Sequence, residues 1–123
     1  MAKVNQIEKR VQMEKWDIVK YQILTYCYLK KIHISDADLQ CLTLLSIEGE
    51  QELTTFCGRV HMMNIFKSSQ TVRNALTKAE KKNLISKEGK SKKRIAINPE
   101  LKIQTEGNIL LDYKFLALET QKV

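Results

Sequence analysis

The chain is short of the residues that break or redirect a backbone. One proline and four glycines in 123 residues argue against a collagen-like chain, a proline-rich linker or a turn-dense β-sandwich. Long apolar runs are also missing: nothing approaches the roughly 20 residues that span a bilayer. The opening Met1-Ala2-Lys3-Val4-Asn5-Gln6 leads into no apolar stretch of the kind a secretory signal requires. The expectation is therefore a cytoplasmic protein with no membrane partner. Cysteine is sparse and odd in number. Cys27, Cys41 and Cys57 show no Cys-x-x-Cys spacing, and without a secretion signal they are expected as reduced thiols.

Motifs for chemistry are absent too. The sequence contains no Gly-x-x-x-x-Gly-Lys-Ser/Thr, Gly-x-Gly-x-x-Gly, His-Glu-x-x-His or Gly-x-Ser-x-Gly. No enzyme activity, catalytic residue or cofactor is expected. Cys57 and His61 stand four apart and share a helix face. Two ligands do not make a zinc site, which takes four, or three plus water, so no metal is expected. Asp36 and Asp38 are explained more simply as helix-capping residues than as an acid–base pair.

What the chain does have is an ordinary globular composition, 43% hydrophobic and 28% charged, with a formal net charge of +7. That length suits one domain with a single core. The charge is unevenly placed. Residues 67–94 carry ten cations, namely Lys67, Arg73, Lys78, Lys81, Lys82, Lys87, Lys90, Lys92, Lys93 and Arg94, against only Glu80 and Glu88. The rest of the chain is near neutral. A basic excess confined to one segment is the footprint of a polyanion-binding surface.

Hydrophobic periodicity supplies a mainly helical outline. Val4, Ile7 and Val11, then Trp16, Val19, Ile23 and Cys27, predict one long or two shorter helices over the first thirty residues. A strand is conceivable near Ile32-His33-Ile34. Ser35 and Asp38 form a capping box for a helix that Gly49 stops. A further helix is expected from about Gln51, on Leu53, Phe56, Val60 and Met63. Ser68 or Ser69 caps a third, running to about Asn83, a residue that tolerates the left-handed region. Leu84–Lys87 and Lys92–Ile97 alternate around a glycine-containing turn and predict a β-hairpin. In the tail, residues 107–118 alternate well enough to predict a strand, with a docking helix as the competing reading. Trp16, Tyr21, Tyr26 and Tyr28, at helical spacing, are expected in core or dimer contacts.

The helix from Ser69 holds the functional pattern. At 100° per residue, Val72, Ala75, Leu76 and Ala79 fall on one face, which must be the core side. Gln70, Asn74, Thr77 and Lys81 lie opposite, flanked by Thr71, Arg73 and Lys78. Gln and Asn can bond adenine edges bidentately and Arg can bond guanine. Lys, hydroxyls and the helix N-terminus can hold phosphates. Two alanines in the inner stripe permit close packing on the preceding helix, leaving the outer face to enter a groove about 12 Å wide. The hairpin that follows is basic, with Lys87, Lys90, Lys92, Lys93 and Arg94 on it.

The run Ser68-Ser69-Gln70-Thr71-Val72-Arg73-Asn74-Ala75-Leu76, continuing through Ala79-Glu80-Lys81-Lys82-Asn83-Leu84-Ile85 into the hairpin 86–97, resembles the winged helix-turn-helix DNA-binding domains of MarR-type and phage-encoded regulators. The resemblance covers about residues 35–98. Ala79 stands where leucine is usual and Asn83 where glycine is usual, and residues 58–67 exceed the usual tight turn. The resemblance implies a mainly α fold with a small β-hairpin wing. The recognition helix would present Ser69, Gln70, Thr71, Arg73, Asn74, Thr77, Lys78 and Lys81 to double-stranded DNA, with Lys87, Lys90, Lys92, Lys93 and Arg94 on the wing. In that layout residues 1–34 are a helical packing or dimerisation segment, and 99–123 a C-terminal extension. The implied function is sequence-specific DNA binding by a small transcription or replication regulator, as a homo-oligomer. The alternative is a structural or adaptor subunit of a larger assembly, such as a phage virion protein, that uses the same fold for protein docking.

Overall fold

Local signals set most element ends in the computed structural model, which describes residues 2–4, 13–88, 93–107 and 116–118. The first helix, α1 (Lys15–Leu29), buries Val19, Ile23 and Cys27 at four-residue steps and carries Asp17 in its first turn, where the helix dipole favours a carboxylate. Ser35 caps α2 (Asp36–Glu48): its Oγ accepts the Asp38 N–H at 3.2 Å. Gly49, at φ 79°, ends that helix in a conformation that side-chain-bearing residues avoid. α2 buries two hydroxyl side chains, Ser46 and Thr43, and Thr43 donates to the Leu39 carbonyl at 2.7 Å.

The chain then differs from its sequence pattern. The helix expected from Gln51 begins instead at Leu53. Gln51–Glu52 form a short strand, β2, and α3 spans Leu53–Met62. The cause is non-local: β2 pairs antiparallel with β4 (Arg94–Ile97), Gln51 opposite Ile95 and Glu52 opposite Arg94. The Leu53 N–H extends that ladder by donating to the Lys93 carbonyl at 2.6 Å. Gly58 does not break α3, which runs four residues past it. The connector to α4 (Ser69–Lys81) is thus residues 63–68, turned by Asn64 at φ 58°.

α4 is capped as its sequence indicates. Ser68 Oγ accepts the Thr71 N–H at 3.2 Å, and Asn83 takes φ 60° just past the C-cap. The hairpin of β3 (Ile85–Glu88) and β4 follows, in register from Ile85 opposite Ile97 to Glu88 opposite Arg94. Asn98 closes it, its N–H donating to the Leu84 carbonyl at 2.9 Å and its Nδ2 to the Asn83 carbonyl at 2.7 Å. The sheet order is β2-β4-β3. A single 3-10 turn, Pro99–Leu101, buries Leu101.

One core gathers all four helices and the sheet. Val19, Ile23, Leu42, Leu45, Phe56, Val60, Val72, Leu76, Leu84 and Ile95 are essentially inaccessible. Each large side chain removed from water contributes about 1.5–3 kcal/mol. The architecture is thus mainly helical with a small three-stranded antiparallel sheet.

Two further expectations need correction. The strand conceivable at 32–34 is absent; Ile32 and Ile34 instead pack at the edge of the core from an irregular connector. The first thirty residues are not uniformly helical: Ala2–Val4 form β1, paired antiparallel with β5 (Leu116–Leu118), Ala2 opposite Leu118. The tail strand is thereby present at 116–118, while the alternating residues Ile109 to Phe115 lie outside the described residues. Among the described residues no helix is long and apolar enough to cross a membrane.

Candidate nucleic-acid interface

α4 divides cleanly into an inner and an outer stripe. Val72, Ala75, Leu76 and Ala79 are buried, as their spacing requires. Ala75 and Ala79, with no side chain beyond Cβ, let the helix lie close against its neighbours. Opposite them Ser69, Gln70, Thr71, Asn74, Thr77, Lys78 and Lys81 are exposed, and Arg73 is half-buried at the margin. The outer stripe is therefore open to solvent rather than folded onto the chain's own interior.

The polar side chains are partly pre-ordered. Gln70 Nε2 donates to Asn74 Oδ1 at 3.1 Å, a pairing of neighbours one helical turn apart. It leaves Asn74 with its amide donors and Gln70 with its carbonyl, the complementary groups that an adenine edge requires. Thr77 Oγ1 donates back to the Arg73 carbonyl at 2.9 Å. Ser68 Oγ and Thr71 Oγ1 lie 3.0 Å apart beside the first amides of α4.

Arg73 points elsewhere than the wheel suggests. Its Nη2 donates to Thr54 Oγ1 at 2.9 Å, so the guanidinium bridges from α4 to the start of α3. One of its five donors is used, and the rest sit at the α3–α4 junction, a position suited to a backbone phosphate. Thr54 is a contributor that sequence reasoning missed. Its only local signal is a hydroxyl in the first turn of a helix, which is common.

The basic groups are also less free than a charge count implies. Lys78 Nζ lies 3.8 Å from Asp38, Lys87 Nζ 3.7 Å from Glu80 and Arg94 Nε 3.3 Å from Glu50. Lys87 is the most enclosed, its side chain 20% exposed in the β3 strand. Such surface pairs are worth about 0–1 kcal/mol each, so they orient the cations without holding them against a phosphate. Lys82, beyond the helix end, donates to the His33 carbonyl at 2.7 Å and is spent on tying α4 to the α1–α2 connector. Lys93 is exposed beside the start of β4. Lys90 and Lys92, expected at the tip of the hairpin, lie outside the described residues.

The hairpin is better anchored than its charge suggests. Ile85 and Ile95 are buried, and β4 is the central strand, held on both edges by β2 and β3. The cations are thus carried by a ribbon rooted in the core.

Cys57 lies inside this surface. Burial pushes its thiol up, while the positive fields of Arg73 and Lys87 pull it down. His61, four residues on, is exposed while Cys57 is buried. Among the described residues no group of three potential metal ligands comes together.

Comparison with protein families, curated proteins and solved structures yields no match to this chain. The functional reading therefore stands on the geometry above and on the sequence motif.

Proposed function

We propose that this protein binds double-stranded DNA as a winged helix-turn-helix domain. In that reading α2, α3 and α4 are the three helices, β2 is the short strand that completes the wing sheet, and β3–β4 is the wing. α4 lies in the major groove. Gln70 and Asn74 read base edges. Ser69, Thr71, Thr77, Lys78 and Lys81 contact phosphates and sugars along the groove walls, and Arg73 grips the backbone from the α3–α4 junction. Lys87, Lys93 and Arg94, with Lys90 and Lys92, lay the wing on the backbone or in the adjacent minor groove. Its role would be that of a small regulator of transcription or replication.

The observation that carries this reading is the open outer stripe of α4, hydrophilic and basic, on a helix whose inner stripe is fully buried. The order helix, strand, helix, helix, strand, strand, with the short strand beside the last one, supports it. So does the confinement of the positive charge to residues 67–94.

Selection from a random pool of duplexes is the test. The expected outcome is an enriched sequence motif that Asn74→Ala relaxes at one position, at a cost of about 1–3 kcal/mol for the preferred base. A protein that enriches no sequence and binds duplex weakly contradicts the regulator reading and fits the adaptor role instead.

A further inference from the structure

The wing is basic, yet the short segment laid along it is acidic. Glu50 precedes β2, and Glu52 ends β2 where α3 begins. Arg94 Nε lies 3.3 Å from the Glu50 carboxylate. Glu52 stands opposite Arg94 in the β2–β4 ladder, so the two side chains share a face of the sheet. Two carboxylates thus border the root of the wing.

Glu52 is also tied into the contacts that reach α4. Its Oε2 accepts the Thr55 hydroxyl at 2.7 Å. The neighbouring Thr54 Oγ1 accepts Arg73 Nη2 at 2.9 Å. The Thr55 hydroxyl does most to hold the Glu52 carboxyl below its ordinary range; a slight loss of hydration works against it, and the Thr54 N–H, the Thr54 hydroxyl and the positive field of Lys93 work with it. The side chain is therefore a charged carboxylate at neutral pH. Glu52, Thr54, Thr55 and Lys93 are exposed and Arg73 is half-buried, so the cluster opens to solvent at the flank of α4.

A negative charge thus stands where the DNA-binding reading brings another. A phosphate taken up by the spare donors of Arg73 at the α3–α4 junction approaches the Glu52 carboxylate, and close like charges repel. The lysine pairs of this surface behave differently. Lys78 and Lys87 can swing from a carboxylate to a phosphate on flexible stems. Glu52 is held by the hydroxyl of a residue in the first turn of α3, and moving it aside breaks that bond.

We propose, resting on the DNA-binding reading, that Glu52 is an internal counter-anion that holds duplex affinity down: its carboxylate stands in for a backbone phosphate at the Arg73–Thr54 junction and must yield when a duplex docks. Phosphate contacts carry no sequence information, so the penalty is the same for every duplex. Glu52 sets the strength of binding and leaves base preference to Gln70 and Asn74.

The test is fluorescence anisotropy of the full chain with a labelled mixed-sequence duplex over a salt series. Glu52→Gln removes the charge and keeps an oxygen for Thr55 to bond. It should bind about fivefold tighter than wild type near 0.15 M salt. Its log–log salt slope should steepen by about 0.9, as one more phosphate is neutralised, and the motif it enriches from a random pool should be unchanged. Asp17→Asn takes the same charge from α1 and should shift affinity by less than about twofold, because salt screens distant charges. In an Arg73→Ala background that keeps the wild-type circular dichroism, Glu52→Gln should gain less than about twofold. Duplex binding that Glu52→Gln leaves no tighter overturns the inference and leaves the DNA-binding reading standing. An equal gain from Asp17→Asn overturns it as an effect of net charge alone, and a full gain without Arg73 overturns the junction assignment. No salt-dependent duplex affinity in wild type and Glu52→Gln alike overturns both readings.

Discussion

Helices α1 and α4 each give one stripe to the same core, and they differ in what they turn outward. The outer stripe of α4 is glutamine, asparagine, threonine and lysine; that of α1 is tyrosine and leucine beyond the Asp17 carboxylate of its first turn. Water satisfies the first at no cost, and the positive charge on it gains from a polyanion. Water leaves the second with apolar area still exposed. Two helices of similar length in one small fold thus leave very different outer faces to the solvent, polar and basic on α4 and largely apolar on α1.

The inner stripes should respond alike and most strongly. Leu76→Ala in α4 and Ile23→Ala in α1 each empty a fully buried site and should cost about 2–5 kcal/mol, read from urea unfolding. A loss confined to one of the two would show that the helices do not share a core.

The buried thiols report on the same interior through pH. Burial pushes Cys41 up to about 12 from an ordinary 9.0, with the charge of Asp38 adding to the effect. Cys27 is raised by burial against the opposing field of Lys82. Below pH 9.0 the thiols are protonated in both folded and unfolded chains, so stability is fully present there. As pH rises above 9.0 the unfolded chain releases protons that the folded chain retains. Stability is therefore lost, for Cys41 until pH reaches about 12, by about 1.4 kcal/mol per pH unit for each thiol that stays protonated. Cys41→Ala should flatten the alkaline limb of a stability–pH profile by that slope. An unchanged limb would place Cys41 in contact with water.

The outer stripes should separate the helices. Lys81→Ala and Gln70→Ala should leave folding within about 0.5 kcal/mol of wild type, as surface changes do, yet weaken duplex binding. Lys81→Ala should in addition lower the salt slope of binding by about 1. Leu24→Ala should leave duplex contacts alone. If changes on the two faces alter DNA binding equally, the division of roles fails.

What was legible in the sequence follows from the range of the interactions involved. Both stripes of α4, its Ser68 cap and its left-handed Asn83 exit are set by residues within one turn of each other, and local spacing reveals them. The hairpin registers for the same reason, since its strands are adjacent. β2 escapes notice because two residues carry no period, and Gln51–Glu52 become a strand only by pairing with residues more than forty positions later. β1 is hidden for the same reason: its partner is at the other end of the chain. In the site, residue identity and face were readable. The pairs Lys78–Asp38, Lys87–Glu80 and Arg94–Glu50, and the reach of Arg73 to Thr54, were not, because they join side chains from different elements.

In the proposed function the outer stripe of α4 and the basic wing both face a polyanion. The most direct measurement is the affinity for duplex DNA as a function of salt. About six phosphate contacts predict that log affinity falls against log salt with a slope near −5. A slope near zero, or no duplex affinity at low salt, would contradict the account.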